Sequence, residues 1–483
     1  MKHRNLSLLM DFYELTMANG YFVNGYKDVI ANYDLYFRNA PDDAVFAISA
    51  GLDTAIDYIE NLHFDDEEIE FLRNKKIFSD EFLEYLRNFK FECDIMAIPE
   101  GSVVFPNEPL MRIRGPFIQA QLLETMLLLI INHQSMIATK TSRIVRFSNG
   151  KAILEFGSRR AHGADAANYG ARASYIAGAA GTANTLADYQ YGVPALGTMA
   201  HSWIQSFDTE YEAFETYAKT YPNNTVLLVD TYDTLNQGIP NAIKVFDNIL
   251  KPMGITPGGI RLDSGDLAYL SKKARIMLDE AGYKDCNIVA SGSLDEFKIK
   301  DIINQGGKID VYGVGERLIT SKSNPVFGGV YKLVAVEKDG IVKPRIKISE
   351  NIEKITTPGL KQVYRIYDNE TNMAKADLIT LEDEVIDETK PLTLFHPLYT
   401  WKKKTINNFY VKPLLVPIYK SGKLVYERPN MEEIRNHYKS EINSLWEEYK
   451  RLDSPQLYKV DLSQKLWDLK NNLLNEVKNN LQY

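Results

Sequence analysis

Residues 258–270 read GGIRLDSGDLAYL. The run opens on small and apolar residues, turns polar at Asp263, Ser264, Gly265 and Asp266, and leads into AYLSKKARIMLDEAG, whose apolar residues recur at helical spacing. This unit of strand, polar tail and helix repeats. KAILEF is followed by GSRRAHG, VPALGTM by AHS, TVLLV by DTYDT, CNIVA by SGS and IDVYGV by GERLITS. TEYEAFETYAKTY and IPNAIKVFDNIL lie between them and are long enough for crossover helices. Six near-continuous apolar strands alternating with helices predict a parallel sheet covered on its outer face. A doubly wound sheet places one Gly-rich ligand turn near its start, whereas here all six strands end in Gly, Ser, Asp, Arg or His. An irregular α/β barrel suits that distribution, because a barrel builds its active site from the C-terminal ends of many strands.

The flanks read differently. Residues 1–116 mix helical patterns, such as 78–91, with short strands, and EGSVVFPNEPLMRIRGP reads as two strands joined at a Pro-Asn turn. This predicts an N-terminal α+β domain. A long helix over 117–147 opens the barrel, which is expected to run to residue 335 and carry the active site. Residues 336–483 lose the repeat and read as a C-terminal appendage of strands, acidic loops and a helical end.

Composition narrows the function classes. With 483 residues, 45% of them hydrophobic, the chain can bury a large core. Its 56 Lys and Arg against 64 Asp and Glu, a net charge of -8, provide no general basic field for nucleic acid or an anionic membrane. Any anionic ligand must be held locally. Two cysteines, Cys93 and Cys286, lie far apart without a CxxC spacing, which argues for a reducing compartment rather than a disulfide framework. The N-terminus is a poor signal peptide, its apolar stretch broken by Asp11 and Glu14. The most apolar run, 122–131, is far short of the roughly 20 residues that span a bilayer.

The polar tails carry the chemistry. Asp263, Ser264, Gly265 and Asp266 offer carboxylates for sugar hydroxyls or a metal-bound diphosphate, a hydroxyl, and a glycine that admits an anion to backbone N–H groups. Ser264 or Asp266 serves equally as a helix N-cap. Ser291, Gly292 and Ser293, followed by Gly313 to Gly315, form two successive Gly-rich turns at the end of the repeat, where barrels commonly bind phosphate. Arg159 and Arg160, behind Phe156 and Gly157, suit a planar anion, although one of them could simply pair with a neighbouring acid. Asp230 and Asp233 follow TVLLV as metal or histidine partners, or as caps of the next helix. His201 is one histidine after a strand, a placement that is often structural. On a shared rim with Asp230 and Asp263 it can act as base or phosphoryl acceptor. No GxxxxGK[ST] loop is present, so any use of ATP is not of the P-loop type.

LLMDFYELTMANGYF, FGSRRAHG, GTMAHSW, VDTYDT, RLDSGD, SGSLDEF and YGVGERLITSKSNPVFGGVYKL occur in that order over residues 5 to 335. Together they make the chain resemble the nicotinate phosphoribosyltransferases, a type II phosphoribosyltransferase family. The resemblance implies an N-terminal α/β domain on an irregular α/β barrel, with active sites shared across a homodimer. It implies transfer of phosphoribose from phosphoribosyl diphosphate to nicotinate in NAD salvage, with magnesium, and with ATP hydrolysis coupled through a phosphohistidine, in the cytoplasm. Motif by motif, His201 matches the phosphorylated histidine and Asp230 its orienting carboxylate. Arg261, Asp263, Ser264 and Gly265 match the segment for ribose and diphosphate. Ser291, Gly292, Ser293, Gly313 and Gly315 match the cradle of the 5'-phosphate. Phe156 and Arg159 match positions around the pyridine ring, and Tyr13 a tyrosine that closes its other face from the partner subunit.

Asn184, in AGTANTLAD, stands where nicotinamide-using relatives carry an Asp, and its neutral side chain favours an anionic substrate. Glu316 departs from the small or hydroxyl residue expected beside phosphate. Competing readings are a relative acting on nicotinamide or quinolinate, a sugar-phosphate lyase or isomerase, and a silent binding protein. None of the six tails contains the lysine that a Schiff-base lyase needs.

Overall fold

In the computed structural model, residues 4–480 are described. They form two compact units: the chain up to Met136 together with Val326 onward, and Ile137–Pro325.

The first unit is built on a seven-stranded sheet ordered Ile341–Pro344, Gly329–Lys338, Ile30–Phe37, Met111–Pro116, Asp94–Ala97, Val416–Lys420 and Lys423–Leu424, with every neighbour antiparallel. Ile30–Phe37 is buried from Ala31 onward, including Asp34. That carboxylate is met by Lys361 Nζ at 2.8 Å, so the buried charge is paired. A second, four-stranded sheet holds Phe409–Pro413, Lys361–Asp368, Ala374–Leu381 and Val460–Leu462. Strands late in the chain thus complete a sheet begun by early ones. The sequence reading, which kept 117–335 together and set 336–483 apart, divides the chain differently, because pairing over hundreds of residues leaves no local pattern. Val103–Val104 and Met111–Pro116 both form, but they pair with Ala47–Ile48 and with Ile30–Phe37, in different sheets. The long helix is Phe117–Gln121 continued by Glu124–Arg146. It is apolar enough to cross a membrane by length and composition, yet 67% of its most apolar window is buried within the chain, as in a core helix.

The second unit carries the parallel sheet. Its order is Gly181–Thr182, Ala152–Glu155, Val311–Val314, Asn287–Ser291, Gly259–Leu262 and Val226–Leu228. Each neighbour is parallel, with helices such as Glu210–Thr220, Leu267–Glu280 and Glu296–Asn304 in the connections. This is an irregular α/β barrel wall: among the described residues no ladder joins Val226–Leu228 to the opposite edge.

The strand expected in VPALGTM is a correction. Only Ala195 pairs there, through a single parallel bridge to Thr182, and the sixth strand is Gly181–Thr182 instead. Pro194 has no N–H to donate to a ladder. Its carbonyl accepts the Thr182 N–H at 3.0 Å and crowds Gly181 so closely that a Cβ there would lie 2.6 Å away. His201 consequently does not end a strand; it opens the short helix His201–Gln205.

Candidate active site

Because the strands of the second unit are parallel, their C-terminal ends form one rim, and Glu155, Asp230, Asp263, Ser291 and Gly315 lie at or just beyond it. Register sets their heights. Arg261 pairs with Leu228 on one side and Val289 on the other, and Gly313 pairs with Ser291.

His201 sits beside this rim with its side chain 38% exposed. Its Nδ1 is 3.1 Å from Thr231 Oγ1, while Nε2 is 3.9 Å from Asp230 Oδ1 and 3.9 Å from Asp263 Oδ2. Two carboxylates therefore flank one ring nitrogen. Asp230 is itself held firmly: its Oδ2 accepts the Asp263 backbone N–H at 2.8 Å and the Ser264 hydroxyl at 2.7 Å. Its Oδ1, the oxygen nearer the imidazole, is buried without a hydrogen-bond partner. That oxygen can still accept a hydrogen bond or a cation.

Asp263 and Arg261 form the second part. Arg261 donates through Nη2 to Asp263 Oδ1 at 2.8 Å, through Nε to Ser291 Oγ at 2.8 Å, and through Nη1 to Thr198 Oγ1 at 3.0 Å and the Met199 carbonyl at 3.2 Å. One guanidinium thus ties the strand end to the loop that precedes His201. Ser291 donates its hydroxyl to Asp263 in turn. Burial pushes the Asp263 carboxyl up, but the Ser291 hydrogen bond and the Arg261 charge outweigh it, and its pKa falls below the ordinary value.

The glycines admit close approach. Gly292 has φ +98°, and a Cβ on it would lie 2.2 Å from the Asp263 carbonyl oxygen. Gly313 lies under the Phe156 ring, 2.4 Å from Phe156 Cδ2 at the position a Cβ would take. Gly265 and Ser293 also have positive φ, and Gly315 opens the short helix Glu316–Ile319. Phe156 lies 5.7 Å from the Arg261 guanidinium, measured to the ring centroid. Arg159 and Arg160 are exposed on the 3-10 turn Ser158–Arg160. Asn184 caps Thr185–Tyr191, its Oδ1 accepting the Leu186 and Ala187 N–H groups at 3.0 and 3.4 Å, so only its amide NH2 can face a ligand. Glu316 is exposed and paired with Lys322 at 2.7 Å. Tyr13 belongs to the first unit, on the helix Phe12–Val23, and is exposed there.

The structure also separates caps from site residues. Asp266 accepts the Tyr269 N–H at 2.9 Å and Asp233 the Asn236 N–H at 3.0 Å, each capping a helix. Sequence reasoning missed Thr198, Thr231, Glu155 and Thr182. All four stood inside motifs already singled out, Thr198 in GTMAHSW and Thr182 in AGTANTLAD, but nothing local marked them apart from their contacts.

Three family profiles match in order: the nicotinate phosphoribosyltransferase N-terminal domain over residues 8–132, the nicotinate phosphoribosyltransferase family over 152–370 and the family's C-terminal domain over 360–470. A nicotinate phosphoribosyltransferase of Bacillus subtilis (strain 168) is 45% identical over 481 residues, covering 100% of this chain and 98% of its own. The crystal structure of human nicotinic acid phosphoribosyltransferase superposes with a TM-score of 0.83 at 28% identity, over 96% of this chain and 100% of that one. A nicotinate-nucleotide pyrophosphorylase structure from Pyrococcus furiosus shares the fold, with a TM-score of 0.69 at 24% identity over 91% of this chain and 95% of that one. With motifs, profiles and full-length relatives in agreement from one end to the other, the chain belongs to the nicotinate phosphoribosyltransferase family.

Proposed function

We propose that this chain transfers the phosphoribosyl group of phosphoribosyl diphosphate to the ring nitrogen of nicotinate, yielding nicotinate mononucleotide and diphosphate for NAD salvage, with ATP hydrolysis coupled through a phosphohistidine at His201. Family membership supports the transfer. The coupling rests on one observation: a half-exposed His201 whose Nε2 faces two carboxylates at 3.9 Å, one of them with an unpartnered buried oxygen.

That arrangement separates the two ring nitrogens. Asp230 and Asp263 favour a proton on Nε2, which leaves the Nδ1 lone pair, beside Thr231, to attack the γ-phosphorus of ATP. The P–O bond to ADP breaks as the P–N bond forms, and the carboxylates stabilise the positive charge on the ring. In the transfer itself the nicotinate nitrogen attacks the ribose C1 as its bond to diphosphate breaks. Positive charge builds on the sugar and negative charge on the leaving group.

Backbone N–H groups of Ser291 to Ser293 and Gly313 to Gly315 hold the 5'-phosphate, and Arg261, Asp263, Ser264 and Gly265 hold the ribose and diphosphate. Phe156 stacks on the pyridine ring with Tyr13 of the partner subunit on the other face, in a homodimer with shared sites. Leu9, Phe12, Tyr13 and Met17 expose an apolar surface at that helix, which supports such a contact. Arg159 pairs with the nicotinate carboxylate, and Asn184 leaves that carboxylate unopposed by negative charge.

Among the described residues no group of three or more ligating side chains gathers, so magnesium would be held by few protein oxygens, those of Asp230 and Asp263, in place of their contact with the imidazole and with phosphate oxygens supplying the rest. Bound there it would neutralise charge on the diphosphate. A cytoplasmic location agrees with two free, buried cysteines.

Incubation with labelled ATP and mass spectrometry for acid-labile phosphate tests the coupling. Label on His201 is expected, and folded protein that binds phosphoribosyl diphosphate but carries none would sink it. His201→Ala should lose the benefit of ATP and keep a weak uncoupled transfer. Mixed dimers of Tyr13→Ala with Arg159→Ala should regain activity through the one intact site.

A further inference from the structure

Glu155 ends the strand Ala152–Glu155 with its side chain fully buried, and nothing in the proposed chemistry uses it. Both carboxylate oxygens meet donors. Oε2 accepts the Thr182 hydroxyl at 2.6 Å, and Oε1 accepts the Gly157 backbone N–H. The Thr182 oxygen in turn accepts the Asn184 backbone N–H at 3.0 Å, and the Glu155 backbone carbonyl accepts the Ala183 N–H at 2.8 Å. A continuous chain of hydrogen bonds therefore runs from Asn184 through Thr182 and Glu155 to Gly157. It joins the turn that bears Phe156 and Arg159 to the turn that bears Asn184.

We infer that Glu155 is a positioning residue for the aromatic substrate: its buried carboxylate sets the spacing of the two turns that grip the ring and its carboxylate substituent. This deepens the reading of the site as a nicotinate site and rests on it. The chemistry of the chain requires an acceptor at both ends of the side chain, since Gly157 can only donate and the Thr182 hydroxyl, already accepting from Asn184, has its proton to give. The carboxylate meets both needs; a carboxamide keeps one acceptor, and an NH2 group turned toward Thr182 takes away the acceptor of its buried hydroxyl proton. Space is equally restricted. A Cβ on Gly157 would lie 2.6 Å from Ile319 side-chain atoms and 2.8 Å from Glu155 Oε1, so position 157 has no room for a side chain between the carboxylate and Ile319. Arg159 and Asn184 supply the recognition, while Glu155 holds them in register.

The test is steady-state kinetics of the full-length enzyme with each substrate varied in turn, on Glu155→Gln, Thr182→Val and Thr182→Ser, with thermal melts confirming folded protein. Glu155→Gln and Thr182→Val should raise KM for nicotinate about tenfold, a loss on the scale of one buried hydrogen bond. KM for phosphoribosyl diphosphate should stay within about twofold, and Thr182→Ser, which keeps the hydroxyl, should resemble the unmodified enzyme. A nicotinate KM unchanged in both variants, or both substrates' KM values rising together, would overturn the inference. If Glu155→Gln does not fold, the Thr182→Val and Thr182→Ser pair decides the matter alone. Failure of the functional reading is a separate result: the unmodified enzyme would then make no nicotinate mononucleotide at all.

Discussion

Arg365 in the first unit and Arg261 in the second are each surrounded by carboxylates and hydroxyls, yet the two clusters are built for different ends. Arg365 is completely buried. It donates to both oxygens of Asp377 at 2.7 to 3.2 Å, to Glu441 at 2.6 Å and to the Val103 carbonyl at 2.9 Å, while Tyr458 donates its hydroxyl to Asp377 at 2.9 Å. Glu108 completes the group; burial and the neighbouring Asp377 charge raise its carboxyl well above the usual range. Around His201, by contrast, the ring is part-exposed, an Asp230 oxygen has no partner, and both nearby carboxylate oxygens stand 3.9 Å off. The same residue types make a buried network in which Arg365, Asp377, Glu441 and Tyr458 meet at hydrogen-bond distance, with Glu108 Oε1 left unpartnered, and a part-exposed one in which the imidazole stands apart from its carboxylates. Exposure and the 3.9 Å separation of the ring from its carboxylates, rather than charge itself, distinguish the site.

Three substitutions would break or sharpen that contrast. Arg365→Ala should be the most damaging: it strands Asp377 and Glu441 as buried charges and should cost about 3–5 kcal/mol in urea unfolding. A cost no greater than that of a surface substitution would mean the buried network contributes little. Asp263→Asn should reverse the balance, lowering kcat/KM about a hundredfold, or about 2.7 kcal/mol of transition-state stabilisation, with a smaller loss of stability. The sign of its pH dependence follows from the lowered carboxyl. Asp263 contributes stability above its ordinary value of 3.8 and loses that contribution as pH falls through the lower folded value. The stability deficit of the variant should therefore be level from pH 8 to pH 5 and shrink only below pH 3.8. A deficit that grows on acidification would contradict the geometry. Asp266→Ala should have the smallest effect, about 1 kcal/mol from loss of the cap on Leu267–Glu280, with the KM values unchanged. A large kinetic effect there would return Asp266 to the site.

Legibility in the sequence followed the range of each interaction. Five of the six expected strands, at KAILEF, TVLLV, GGIRL, CNIVA and IDVYGV, stand in the parallel sheet, because a buried parallel strand writes itself as a short apolar run ended by polar residues. VPALGTM had the same appearance and failed because Pro194 removes a donor and the neighbouring backbone comes too close. The strands at Gly329–Lys338 and Val416–Lys420 gave no hint that they join the sheet of Ile30–Phe37 and Asp94–Ala97. Within DSGD the sequence offered Ser264 and Asp266 alike as the helix cap; that Asp266 takes it while Asp263 meets an arginine and Ser264 a second aspartate was invisible.

By itself, then, the order of residues determined the α/β character of the second unit, the set of polar strand ends and the family to which the motifs point, since each depends on neighbours within a few positions. Only the tertiary structure decided that His201 heads a helix rather than ending a strand, that Arg261 fastens the loop before His201 to the rim, that Asp230 keeps one oxygen open toward the imidazole, and that Glu155 links the two turns flanking it. Those assignments depend on hydrogen bonds between residues 27 to 63 positions apart, and on which acceptors burial leaves unmatched, neither of which any local pattern records.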